Sequence, residues 1–126
     1  QCNTCHTAPL FTDGQFHNIG YQNNLEPDTG RARISMLAED EGKFRTPPLR
    51  NLAFTGPYMH DGSFAFIDDV LAYYNRGGDE HANKDKRIKP LNLSAIELSD
   101  LKAFLLSLSD STFVKHRFYR PTDYLD

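Results

Sequence analysis

The sequence lacks tryptophan altogether and has only two cysteines and two methionines in 126 residues. It also lacks a basic excess: fourteen Lys and Arg against seventeen Asp and Glu leave a net charge of −3. Nucleic-acid binders carry a basic surplus or stripe, so no nucleic-acid partner is expected. No apolar run approaches the ~20 residues of a membrane-spanning helix. No membrane span is therefore expected, and no signal-peptide pattern is visible. Long periodic segments are missing from residues 7–60, which are broken by Pro9, Gly14, Gly20, Pro27, Gly30, Gly42, Pro47, Pro48, Gly56 and Pro57. β-alternation and internal repeats are absent too. What remains has the size of one domain, is 39% hydrophobic, and holds nine Phe and six Tyr.

Both cysteines fall within the first five residues, in Gln1-Cys2-Asn3-Thr4-Cys5-His6. This is C-x-x-C-H, the attachment signature of c-type haem. Two thiols at this spacing reach the two vinyl groups of one porphyrin, and the next residue, His6, is carried onto the iron as proximal ligand. With two Cys and five His in the chain, composition alone would produce the pattern in roughly one such chain in a thousand. A zinc site would need two more well-spaced ligands, and the remaining His are scattered. A redox C-x-x-C belongs in a βαβ context, which is missing. One covalent haem c is therefore expected. Thioether attachment is made outside the bacterial cytoplasm, so a periplasmic, exported setting follows. A haem-c fold usually places a helix before its C-x-x-C-H; one residue precedes it here. The chain is accordingly expected to be a piece of a larger protein.

Two helices are legible. Ser94 and Glu97 form a capping box. Behind it, Leu98, Leu101, Leu105 and Leu108, with Phe104 beside them, make an apolar stripe that predicts a helix over 95–108. Ile67, Val70, Leu71 and Tyr74 follow the i, i+3, i+4, i+7 spacing, which predicts a helix over 64–76 stopped by Gly77-Gly78. A short helix is expected after the haem motif. Residues 79–90 read as a charged loop, with His81 solvated. The long loops suit a chain wrapped on a cofactor that supplies apolar surface.

Three further blocks carry a resemblance. They are Phe16-His17-Asn18-Ile19-Gly20, the run from Lys43-Phe44-Arg45-Thr46-Pro47-Pro48-Leu49-Arg50-Asn51 through Tyr58-Met59-His60-Asp61-Gly62, and Tyr73-Tyr74-Asn75-Arg76-Gly77-Gly78. Together with the haem motif, and in this order, the sequence resembles the C-terminal haem domain of the bacterial di-haem cytochrome c peroxidase and MauG family. The resemblance runs over about 2–108. It implies an all-α, cytochrome-c-like haem domain with long loops, one half of a two-domain di-haem protein. The haem domain is expected over 1–109, without its first helix, and a C-terminal extension over 110–126.

The resemblance also implies roles. The haem of this domain would be six-coordinate and pass electrons, while a second haem in an N-terminal domain meets hydrogen peroxide. The sixth iron ligand is a Met in the peroxidases and a Tyr in MauG, and Tyr74 stands at the matching position; Met59 is the competitor. A phenolate lowers the potential of iron and a thioether raises it, so Tyr74 tilts the reading toward the MauG-like branch, which oxidises a protein substrate. His60 is expected near the haem propionates, as the catalytic candidate for proton steering. His17 is expected in a loop or on a propionate. Arg45 and Arg50 are expected to pair propionates, a task that suits a planar guanidinium. A calcium ion would take backbone carbonyls of Thr55 and Pro57, oxygen donors of the kind it accepts. Met36 is expected to serve packing, and His116 to be solvated. Partners would be the N-terminal haem domain and a small redox protein or protein substrate. An independent monohaem electron carrier is the other class, but such a carrier has no need for the Thr-Pro-Pro-Leu-Arg-Asn and His-Asp-Gly blocks.

Overall fold

A computed structural model describes residues 1–22 and 28–116. The haem motif itself forms a single 3-10 turn, Cys2–Thr4. Strand β1 (Phe16–His17) pairs antiparallel with β2 (Phe44–Arg45), Phe16 opposite Arg45 and His17 opposite Phe44. Between them lies a one-turn helix α1 (Ala32–Ser35). Helices α2 (Ile67–Asn75) and α3 (Ala95–Ser107) follow, then α4 (Ser111–Lys115).

The all-α expectation is corrected by this inventory. The described residues combine a two-strand antiparallel pair, two helices of more than two turns, and a majority of turns and loops. The reason is in the breakers across 7–60, which prevent a helix nucleus from propagating there. The expected helix after the haem motif is likewise replaced by turns at residues 8–11. Residues 117–126, most of the expected C-terminal extension, lie outside the described residues.

The two longer helices form where the sequence pattern puts them. Ser94 Oγ accepts from the Glu97 N–H, and Glu97 Oε2 accepts from the Ser94 N–H at 2.8 Å. That reciprocal bond satisfies two orphan donors at the start of α3. Helix α2 starts three residues later than its periodicity predicts, at Ile67, with Asp69 reaching back to the Phe66 N–H. Ile67 and Leu71 of α2 bury against Leu105 of α3, and Leu49, Leu52, Tyr58, Leu98, Leu101 and Leu108 pack around them. Lys102 ties α3 to Asp68 of α2 across the exposed side.

The core between the helices is small, and a second knot of contacts holds the loops. Gly20 and Gly78 both have positive φ, +86° and +72°. A Cβ on Gly20 would lie 2.1 Å from the Asp79 carbonyl oxygen, and one on Gly78 would lie 2.4 Å from that of Ile19. Two chain segments thus meet backbone to backbone, an approach that only residues without a side chain allow. Tyr73, 1% exposed, closes the knot: its hydroxyl donates to the Ile19 carbonyl at 3.2 Å and accepts from the Asp79 N–H at 3.1 Å. Asn18, also 1% exposed, accepts from the Gly20 N–H at 2.7 Å and donates to the Glu41 carbonyl and to His81 Nδ1. His81 is therefore a structural acceptor rather than a solvated side chain. Met36 departs from expectation in the opposite sense: it caps α1 at positive φ with its side chain 83% exposed.

Candidate haem-binding site

The site begins at the 3-10 turn, in which the His6 N–H bonds the Cys2 carbonyl at 2.9 Å. The turn brings two free thiols and one imidazole into a short stretch, Cys2 exposed and Cys5 and His6 half-buried. Burial pushes the Cys5 thiol up. His6 Nδ1 lies 2.9 Å from the Phe11 carbonyl oxygen. A carbonyl can only accept, so Nδ1 carries the proton and Nε2 presents its lone pair, the tautomer an imidazole needs to bind a metal.

Tyr74 comes to the same place from α2. Burial pushes its phenol well up, and the neighbouring Tyr73, Cys2 and Cys5 push in the same direction. Its hydroxyl hydrogen-bonds to no described residue, and no cation among them lowers it. Tyr74 is half-buried, and Cys2 and Cys5 lie near enough for their charges to act on its phenol. A desolvated, unpaired phenol is costly, and a cationic metal is the kind of partner that would relieve it. The donor set therefore fits a c-type haem: two thiols for the vinyl groups, one imidazole whose Nε2 carries the lone pair, and one phenol without a partner among the described residues.

The other residues named from the sequence scatter around this point. Arg45 lies on β2 with its guanidinium making no ion pair or hydrogen bond to a described residue. Arg50 instead donates to the Pro9 carbonyl from Nε (3.1 Å) and Nη2 (2.6 Å) and lies over the Phe11 ring. Met59 sits at positive φ (70°) in the turn between Tyr58 and Phe64, which pair with each other. His60, exposed, stacks on Phe44 with ring centroids 3.8 Å apart. Thr55 and Pro57 flank Gly56 on an exposed loop after the 3-10 turn Leu52–Phe54.

One cluster was not foreseen. His17 stands between Asp13 (Nε2 to Oδ2, 2.8 Å) and Asp85 (Nδ1 to Oδ2, 3.1 Å), and Arg87 pairs with Asp85. Ligand atoms of Cys5, Asp13 and His17 lie within 4.8 Å of one another. At Asp13, burial raises the carboxyl, but the bonds from His17 and the Gln15 N–H outweigh it and bring it down to about 2. The Arg87 guanidinium likewise holds the Asp85 carboxyl below the usual range. A charged network thus flanks the haem motif. Asp13 and His17 lie four residues apart, and Asp85 and Arg87 two. Their meeting, some seventy residues apart in the chain, was not legible in the sequence.

No protein-family model matches the chain. It is 36% identical over 137 residues to the cytochrome-c peroxidase IdrP1 of Denitromonas iodatirespirans, covering 86% of this chain and 36% of that protein. It is 36% identical over 107 residues to the methylamine utilization protein MauG of Methylorubrum extorquens, covering 85% of this chain and 30% of that one. Among solved structures, a MauG-like protein associated with microbial copper homeostasis superposes with a TM-score of 0.85 at 33% identity, over 92% of this chain and 44% of that one. The diheme peroxidase BthA from Burkholderia thailandensis superposes with a TM-score of 0.74 at 25% identity, over 97% and 41%. The cytochrome-c-like architecture is thus shared with these neighbours. The chain spans about a third of the length of the curated relatives it matches.

Proposed function

The chain belongs to the bacterial di-haem cytochrome c peroxidase and MauG family, and on that premise we propose that it carries one covalent c-type haem serving electron transfer. Cys2 and Cys5 would hold the porphyrin by thioether bonds, His6 would be the proximal ligand and Tyr74 the sixth. When bound, the haem supplies an iron centre that exchanges single electrons.

The residues of the chain set the terms of that exchange. The Phe11 carbonyl keeps the His6 proton on Nδ1 and so keeps Nε2 available. On giving up its proton to a bound iron, Tyr74 would offer an anionic, hard oxygen, which lowers a haem potential, whereas Met59 would raise it. Arg45, which pairs with no carboxylate among the described residues, would be a guanidinium available to a propionate. His60, fixed by its stack on Phe44, is the imidazole placed to move a proton at an exposed edge. Thr55 and Pro57 would lend carbonyl oxygens to a calcium ion. In this reading, the domain would relay electrons to or from a peroxide-reacting haem in another domain of a periplasmic protein. Tyr74 favours the MauG-like branch, in which a protein is the substrate.

The observation that carries the reading is the contrast on α2: among the described residues, Tyr73 has both a donor and an acceptor for its hydroxyl, and Tyr74 has neither. The test is the ferric absorption and EPR spectrum of the full-length protein. A hard oxygen–iron signature that vanishes in Tyr74→Phe supports it. A near-infrared sulfur–iron band would instead assign the sixth position to Met59. Colourless protein whose mass lacks a haem would remove the reading entirely.

A further inference from the structure

Phe11 is a bulky residue at positive φ (55°). Such a residue stays in the left-handed region only where its surroundings over-determine it, and these places concentrate at functional sites. Here the strain has a visible consequence: it aims the Phe11 carbonyl at His6 Nδ1, 2.9 Å away. Two groups hold Phe11 in place. The Phe104 ring of α3 meets it edge-on at 6.4 Å between centroids. The Arg50 guanidinium lies 5.6 Å from its ring centroid and at the same time donates two hydrogen bonds to the Pro9 carbonyl. Arg50 is itself anchored from behind. The next residue, Asn51, donates its N–H to the Leu108 carbonyl at 3.2 Å and accepts the Asp110 N–H at 2.7 Å.

We propose that Arg50 is a positioning residue for the proximal histidine: it clamps the turn over residues 9–11 from both ends, and thereby fixes the hydrogen bond that orients His6. The planar fork matters, because one guanidinium must bond a carbonyl with two N–H groups while covering an aromatic face. This replaces the expectation that Arg50 pairs a propionate. The inference rests on the haem reading above, since the hydrogen bond matters through the ligand it orients.

The test uses the haem-loaded, full-length protein with Arg50→Met, which keeps apolar cover on Phe11 but donates nothing, and Arg50→Lys, which keeps the charge and one donor. Covalent haem content is measured by mass and absorption in each. Solvent exchange of the His6 Nδ1 proton is then followed by NMR, and the reduction potential by titration. Arg50→Met is expected to speed that exchange by about tenfold, the scale of one hydrogen bond's net contribution, and to shift the potential. Arg50→Lys is expected to recover most of the exchange protection. Unchanged exchange in Arg50→Met overturns the inference, as does a loss of thermal stability with exchange and potential both unmoved. Absence of covalent haem in the unmutated protein fails the haem reading itself, and this inference with it.

Discussion

Tyr73 and Tyr74 stand edge to face on one helix, ring centroids 6.0 Å apart and planes 88° apart, and the protein uses them in opposite ways. Tyr73 is sealed in the knot of Ile19, Gly20 and Asp79, with burial holding its phenol up at about 12. Tyr74, whose phenol feels the charges of Cys2 and Cys5, hydrogen-bonds through its hydroxyl to no described residue. One helical step of about 100° separates a structural residue from a candidate iron ligand.

That contrast predicts a crossed pair of phenotypes. Tyr73→Phe leaves the part-buried Asp79 N–H without its acceptor and the Ile19 carbonyl without its donor, so it should cost about 1–3 kcal/mol in denaturant unfolding and leave the ferric spectrum unchanged. Tyr74→Phe should alter the ferric spectrum and cost about 1 kcal/mol or less. If the spectrum follows Tyr73 instead, the assignment of the two rings is wrong.

Gly20→Ala should be among the most damaging single changes. The new Cβ meets the Asp79 carbonyl at 2.1 Å, at a φ that an L side chain rarely adopts. A loss well above ~1 kcal/mol is expected, read as a drop in midpoint on chemical unfolding. Little change in midpoint would mean that residues 18–20 and 77–79 do not meet as described.

Asn18→Asp tests the second half of the knot. The amide donates to the Glu41 carbonyl (2.9 Å) and to His81 Nδ1 (3.0 Å), and a carboxylate can do neither. A loss of about 1–3 kcal/mol is expected. Asn18→Asp should also raise backbone amide exchange at Asp85, whose N–H bonds the Asn18 carbonyl at 2.8 Å. Protection at Asp85 that matches the unmutated protein would count against the arrangement.

Asp40 sets an acid limit on the loop that carries α1. Its carboxylate takes bonds from Lys43 and Arg31, both at 2.9 Å, and Lys43 above all holds it down at about 2, against an ordinary 3.8. Because the folded value is the lower one, the unfolded chain takes up the proton first as pH falls. The stabilisation is therefore full above about pH 4 and lost progressively as pH falls toward 2. Asp40→Asn should flatten that part of an acid-unfolding curve, and an unaltered acid limb would show that the two ion pairs contribute nothing.

The sequence alone determined whatever depends on neighbours along the chain. C-x-x-C-H is a local chemical unit, and so is the capping box of Ser94 and Glu97; both survive translation into structure because their partners lie within five residues. The stripe Leu98, Leu101, Leu105 and Leu108 was legible too, because spacing along one helix fixes which face is apolar, although its partners Ile67 and Leu71 lie far off in the chain. Tertiary structure decided what depends on residues far apart. It made Arg50 a brace on the Pro9 carbonyl, gave His81 to Asn18, and gathered Asp13, His17, Asp85 and Arg87 beside Cys5. It also decided the fold class, since the short β1–β2 pair joins segments whose composition carries no alternation. Periodicity reports only how a segment is presented to its surroundings. That the Tyr73 hydroxyl finds Ile19 and Asp79 is set by where the loops close, and that closure turns on two glycines touching distant backbone.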